Sequence, residues 1–219
     1  MDVGAWLAPK QAKSPIVIVS VAHLDDEERA LVLGVLLEEI LSWVRTLPGS
    51  QRLRALVVFD EVYGFLPPHP ANPPTKRPLV ALMKQARGFG VGVVVATQNP
   101  MDLDYRALSN AGLWCIGRLQ TDADRERVLD GLQAAFGPDG GGENLGSTLQ
   151  RLAPRWFVMR NAHVSAPPIL MHPRYAMSLL RGPMTRVEIR RARGVGGEAK
   201  APAAEPVAEQ TGGRDVGPG

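Results

Sequence analysis

Asp60 and Glu61 stand side by side at the end of a short apolar run, Ala55 to Phe59 (ALVVF). A buried strand that emerges into two carboxylates suits Mg-ATP hydrolysis, in which one carboxylate holds the magnesium shell through water and its neighbour polarises the attacking water. The plainer alternative is a strand that ends in charge because it has reached solvent. Further along, Gln98 lies just past a second apolar run, Val91 to Ala96. An amide there can sense a γ-phosphate or orient water, or simply cap the turn before Pro100. Arg87 closes the helical segment that precedes this run, in KQARGFG. Its guanidinium can reach phosphate in its own site or across a subunit boundary, and it is equally at home as a cation at a helix C-terminus.

These residues need a frame. Ile16 to Val21 (IVIVSV) is β-branched and apolar without alternation, the pattern of a strand buried on both faces of a parallel sheet. Asp25 and Glu28 have capping-box spacing, and Ala30 to Val44 is apolar around nearly its whole circumference, which predicts a deeply packed helix ended by Pro48 and Gly49. After the Ala55 to Phe59 strand, the Pro-rich stretch FLPPHPANPP leads to a helix over about Thr75 to Arg87, stopped by Gly88 and Gly90. Val91 to Ala96 is a third strand, Asp104 to Ser109 a short helical segment, and Leu113 to Leu119 a fourth strand with Arg118 near its end. Thr121 caps the charged helix DADRERVLDGLQAAF, which runs into the loop GPDGGGENLGS. RWFVMR and PILM read as short strands, HPRYAMSLLRGP as a terminal helix and turn, and everything from Gly194 onward as disorder. Apolar strands separated by helices predict a doubly wound parallel α/β sheet, with its chemistry at the carboxyl ends of the strands. Asp60, Glu61, Gln98 and Arg118 all fall there.

Composition sets wide bounds. The 219 residues are 45% hydrophobic and 21% charged, ordinary for a globular protein, and a net charge of +3 with a pI near 9.3 fits a nucleic-acid partner without requiring one. The single cysteine, Cys115, sits in the apolar run LWCIG, where it reads as core filler and excludes an internal disulfide framework. His23, His69, His163 and His172 show no metal-ligand spacing and read as structural or surface residues. No signal-like segment opens the chain and no run approaches the roughly 18 to 20 apolar residues of a membrane span, so a cytoplasmic protein with no membrane contact is expected.

Taken together, LVVFDEVYGFLPP, then LMKQARGFGVGVVVATQNPMDLDYRALSNAG, then IGRLQTDADRERVLDGL resembles the HerA-like branch of hexameric DNA-pumping ATPases, related to FtsK. The resemblance covers roughly residues 16–132 and extends more loosely to RYAMSLLRGPMTR. It implies a RecA-like P-loop core over residues 1–150, a C-terminal extension of that core over 151–193 and a disordered tail over 194–219. It also implies ATP and Mg2+ as cofactors, a homo-oligomeric ring such as a hexamer, and DNA as a partner. By the same resemblance Asp60 and Glu61 correspond to the Walker B pair, with Asp60 on magnesium through water. Gln98 corresponds to the sensor, Arg87 to the arginine at that helix end, and Arg118 to a further arginine near the nucleotide, unless it is only a strand-end surface charge.

One part of the family pattern is missing from these residues. The phosphate loop G-x-x-x-x-G-K-[ST], whose backbone amides and lysine grip the phosphates, occurs nowhere in the chain. The nearest match, Gly141 to Thr148 (GGENLGST), offers Ser147 where lysine is required and follows a helix, so it reads as a surface loop. In the family the absent strand and loop lie between the strands ending at Ala96 and Leu119, so the parallel sheet is expected to be incomplete, with two inner edges open to another chain. The expected protein is therefore part of a HerA-like ATPase, inactive alone, with its phosphate loop on a missing segment or a second chain. The alternative is a non-catalytic interaction module descended from the same fold. An unrelated α/β binding domain would explain the strands but leaves ATQNP and ARGFG without a reason.

Overall fold

The computed structural model describes residues 2–7, 14–98, 103–137, 145–164, 166–177, 182 and 184–192. The chain divides into two units, Met1–Arg174 and Tyr175–Gly219. The first carries α1 (Val3–Leu7), α2 (Asp26–Thr46), β1 (Ala55–Phe59), α3 (Lys76–Gln85), β2 (Val91–Val95), α4 (Tyr105–Leu108), β3 (Leu113–Ile116), α5 (Asp122–Phe136), α6 (Leu145–Arg151), β4 (Phe157–Asn161) and β5 (Ile169–Met171). The second unit contributes α7 (Arg186–Ala192).

Helix starts follow their sequence signals. The Asp25 carboxylate accepts from the Glu28 amide at 2.8 Å and the Glu28 carboxylate accepts from the Asp25 amide at 3.2 Å, completing the capping box. The Thr121 hydroxyl accepts from the Asp124 amide at 3.1 Å at the head of α5. Thr75 departs from this pattern. It precedes α3 but its fully buried hydroxyl turns inward and donates to the Phe65 carbonyl at 2.8 Å, clamping the Pro-rich loop onto the helix. Thr75→Val keeps the shape and leaves that carbonyl unpaired, so a loss of about 1–3 kcal/mol is expected in urea unfolding, against little change for Thr121→Ser.

The sheet is not the single parallel sheet that the strand pattern predicts. β1 and β2 pair in parallel, Ala55 opposite Val91 and Phe59 opposite Val95. The strand β3 instead pairs antiparallel with β4, Leu113 opposite Asn161, and β4 antiparallel with β5. Among the described residues no ladder joins β2 to β3, so each presents an open edge. One core nevertheless serves both sheets, with Leu37, Leu41 and Val44 of α2, Leu79 and Leu82 of α3, Val91, Ile116, Val158, Leu132 and Leu149 in one cluster. Leu79 and Leu82 of α3, continued by Ala86 in the 3-10 turn that follows it, form an inward stripe at helical spacing.

Several expectations of burial are overturned. Ile16 to Val21 forms no strand; Ile16 and Ile18 are each 86% exposed. Its described anchorage is the Val21 carbonyl, which accepts from the Leu24 amide and from Arg29 Nε. The buried residues of α2 begin at Gly34, and Leu31, Val32 and Val35 face solvent rather than being deeply buried. In β1, Leu56 and Val58 are exposed while their neighbours are half-buried, so one face of the sheet is bare. Cys115, expected in the core, is exposed, on a side of β3 that the described residues cover only in part. In β1, in β3 and in the first turns of α2, apolar residues patterned for two-sided cover meet cover from the described residues on one side only. Near the C-terminus, His172 to Met177 is not helical, residues 178–181 lie outside the described ones, and the helix falls instead at Arg186–Ala192. The loop expected at 137–147 ends early, since α6 begins at Leu145. The tail over 194–219 lies outside the described residues.

Although exposed, the Cys115 thiol is pushed above its ordinary pKa by partial burial against neighbouring atoms. The native chain is therefore expected to react with Ellman's reagent to completion, but with a pH–rate curve displaced to higher pH than that of free cysteine.

Candidate functional site

Strands β1 and β2 bring three of the sequence candidates to one end. The Phe59 carbonyl accepts from the Ala96 amide at 3.0 Å, and the Val62 amide donates to the Ala96 carbonyl at 2.9 Å. Both partners are the same residue, just past the end of β2, so Asp60 and Glu61 are looped out between two backbone hydrogen bonds to Ala96. Val62 beyond them is fully buried, and Phe59 and Phe65 rings pack 5.5 Å apart beneath the loop. Making that turn forces Glu61 to φ 55, the left-handed region that a non-glycine residue seldom occupies. Such a conformation persists only where surrounding contacts over-determine it, here the Ala96 clasp and the Val62 anchor. Both carboxylates face solvent.

Thr97 completes this corner. Its hydroxyl donates to Glu61 Oε1 at 3.3 Å, and Gln98, exposed, is the next residue. Sequence reasoning gave Thr97 no role, although a hydroxyl flanking the sensor candidate was the signal. Asn99 and Pro100 lie outside the described residues.

Arg87 is elsewhere. It sits in the 3-10 turn Ala86–Phe89 that leads into β2, at the end of the strand opposite Thr97 and Gln98. A five-residue strand separates the two ends, about 13 Å at the usual rise per residue. Its Nη1 lies 3.0 Å from His163 Nε2, in the turn after β4. Arg118 is exposed, two residues past the end of β3.

The carboxylate pair is a hard-oxygen donor set of the kind magnesium takes while keeping most of its water. No cluster of three or more His, Cys, Asp or Glu able to cage a metal occurs among the described residues. The grip on phosphate does not fit: Gly141 to Asn144 of the loop lookalike lie outside the described residues, and Gly146 and Ser147 are in α6. The phosphate-loop pattern with its lysine does not occur in these 219 residues.

No protein-family model and no curated protein matches the sequence. Among solved structures, the chain is similar to the genome packaging NTPase B204 of Sulfolobus turreted icosahedral virus 2 in complex with ATP-gammaS. The TM-score is 0.51 at 15% identity, covering 75% of this chain and 69% of that one. It is likewise similar to B204, the DNA-packaging ATPase of Sulfolobus turreted icosahedral virus, with a TM-score of 0.52 at 14% identity, over 80% of this chain and 72% of that one. At such identities the likeness is one of fold. The chain has a mixed α/β fold like that of these two structures, with a parallel strand pair that ends in the carboxylates, and no described helix is long and apolar enough to cross a membrane.

Proposed function

We propose that this chain is the carboxylate-and-sensor portion of a HerA-like, DNA-handling P-loop ATPase, with the phosphate loop supplied from outside these 219 residues. The observation that carries the reading is the extruded Asp60–Glu61 pair. Its strained Glu61 backbone and its Thr97 contact hold two carboxylates at the strand tips, where this fold class does its chemistry. In this reading Asp60 would hold a magnesium ion through water, Glu61 would polarise the attacking water, and Gln98 would orient it. Arg118, exposed beyond the end of β3, is in this reading a second cation for the nucleotide. Arg87, at the other end of β2, serves a site on a neighbouring subunit of a ring rather than its own. A hexamer and a cytoplasmic location belong to the same reading. DNA as the moved substrate is supported by the family resemblance, by the net charge of +3, and by the packaging role named for the structural neighbours.

The open edges of β2 and β3 and the bare apolar face of Leu56, Val58 and Val94 fit a strand and covering elements added from another segment or chain. The same surface also favours the second reading, an interaction module that docks on an intact ATPase and hydrolyses nothing.

The experiment is Mg-ATP binding and turnover by the chain alone and by an assembly in which a strand bearing G-x-x-x-x-G-K-[ST] is supplied, on an upstream extension or a co-expressed chain. The expected result is no turnover above buffer for the chain alone and robust turnover for the assembly. Turnover by the isolated chain that Glu61→Gln abolishes would overturn the division of labour. An assembly that forms without hydrolysing would favour the interaction module.

A further inference from the structure

Arg87 and His163 are 76 positions apart, yet their side chains meet, and three further features surround the contact. An arginine can only donate, so Nε2 must be the bare, accepting nitrogen and the proton of the neutral ring sits on Nδ1. The His163 amide donates to Asn161 Oδ1 at 2.9 Å, and the Ala162 amide donates to the Gly112 carbonyl at 2.8 Å, so the turn that carries the ring is pinned to the head of β3. The ring itself occupies the space where Gly112 lacks a side chain: a Cβ there would stand 2.5 Å from Nε2 and 3.2 Å from Cδ2.

We propose that His163 is a positioning residue for Arg87, seated against Gly112 so that its Nε2 lone pair holds the guanidinium where β2 begins. An exposed arginine has many rotamers, and a single surface hydrogen bond restrains it weakly. A ring with a fixed seat and a fixed tautomer narrows that choice. It also ties the 3-10 turn leading into β2 to the turn following β4, two segments that no described strand ladder connects. The claim that this positioning serves hydrolysis rests on the reading of Arg87 given above; the positioning itself does not.

Two readouts separate the two. In the 15N-labelled full chain, the Arg87 Nε–Hε heteronuclear NOE is expected at rigid values in the parent protein and in His163→Gln, whose amide oxygen can accept in place of Nε2. It is expected to collapse toward mobile values in His163→Ala and in Gly112→Ala, with the backbone amide spectrum otherwise retained. The 15N shifts of the neutral His163 ring should report the proton on Nδ1. An Arg87 NOE unchanged in His163→Ala, or lost equally in His163→Gln, overturns the proposal. In the phosphate-loop assembly, His163→Ala is expected to lower kcat about ten- to a hundredfold, as for a misplaced catalytic group, with KM for ATP unchanged and His163→Gln near the parent. If Arg87→Ala is silent there while the NOE pattern holds, the reading of Arg87 fails and the positioning stands. If Arg87→Ala is severe and His163→Ala silent, the positioning has no part in hydrolysis and the proposal fails in that role.

Discussion

Gly90→Ala is expected to destabilise the chain by about 2–5 kcal/mol through two independent penalties. Gly90 has φ 74 and ends the 3-10 turn, its amide donating to the Arg87 carbonyl and its carbonyl accepting from the Arg54 amide at 2.7 Å. An added Cβ would be strained by that backbone at about 1–2 kcal/mol. It would also lie 2.3 Å from the Arg52 carbonyl oxygen and 3.1 Å from Ser50 Cβ, backbone and loop that cannot swing away. Overpacking of that kind adds about 1–3 kcal/mol. Two other glycines of the same region separate the terms. Gly64 has φ 77 with nothing within 4 Å of its would-be Cβ, so Gly64→Ala should show the backbone term alone. Gly88 has open space and no positive φ, so Gly88→Ala should be neutral or slightly stabilising. Urea midpoints of the three variants, measured together, check the ordering; equal losses at Gly88 and Gly90 would show that neither contact nor φ decides.

Local signals in this sequence translated well into local structure. The Asp25–Glu28 box, the Thr121 cap, the Gly90 stop and the ALVVF and VGVVV strands fall at or within a residue or two of their expected positions, because each depends on chemistry within a few residues. Pairing was less legible. Apolar strands without alternation indicate two-sided burial, and that inference requires covering layers that the neighbouring sequence need not provide. Ile16 to Val21, Leu56, Val58 and Cys115 carry the composition of buried strands and lie in solvent. The antiparallel partner of β3 was equally hidden, since β4 is separated from β3 by two helices and nothing in LWCIG or RWFVMR specifies direction.

At the site, residue types identified Asp60, Glu61 and Gln98 as a group, and the parallel register of β1 and β2 places them at one end. The Glu61 backbone was beyond reach of the sequence. Glutamate is an unlikely residue for φ 55, and what imposes it is a hydrogen-bond clasp on Ala96, 35 positions away. Arg87 shows the opposite limit. Its neighbourhood in sequence to Gln98 suggests neighbourhood in space, whereas a strand lying between two residues puts them at opposite ends.

The strained backbone yields the sharpest test of what Glu61 is for. In the phosphate-loop assembly Glu61→Gln is expected to lower kcat about 10²- to 10⁴-fold, the range for loss of a general base, while leaving the melting temperature of the chain unchanged. Glutamine retains an oxygen to accept from Thr97, and the side chain is exposed, so folding loses nothing of consequence. Glu61→Gly should lose the same activity yet hold or gain stability. Relief of the left-handed conformation returns about 1–2 kcal/mol, offset in part by about 0.4–1 kcal/mol from the freer unfolded chain. Asp60→Asn is the comparison, because it should weaken the magnesium dependence without the stability gain. A residue kept for structure alone would show the reverse, with Glu61→Gly destabilising and Glu61→Gln silent in turnover. Activity and stability moving in opposite directions at one position is what distinguishes a carboxylate held in strain for chemistry from one that merely ends a strand.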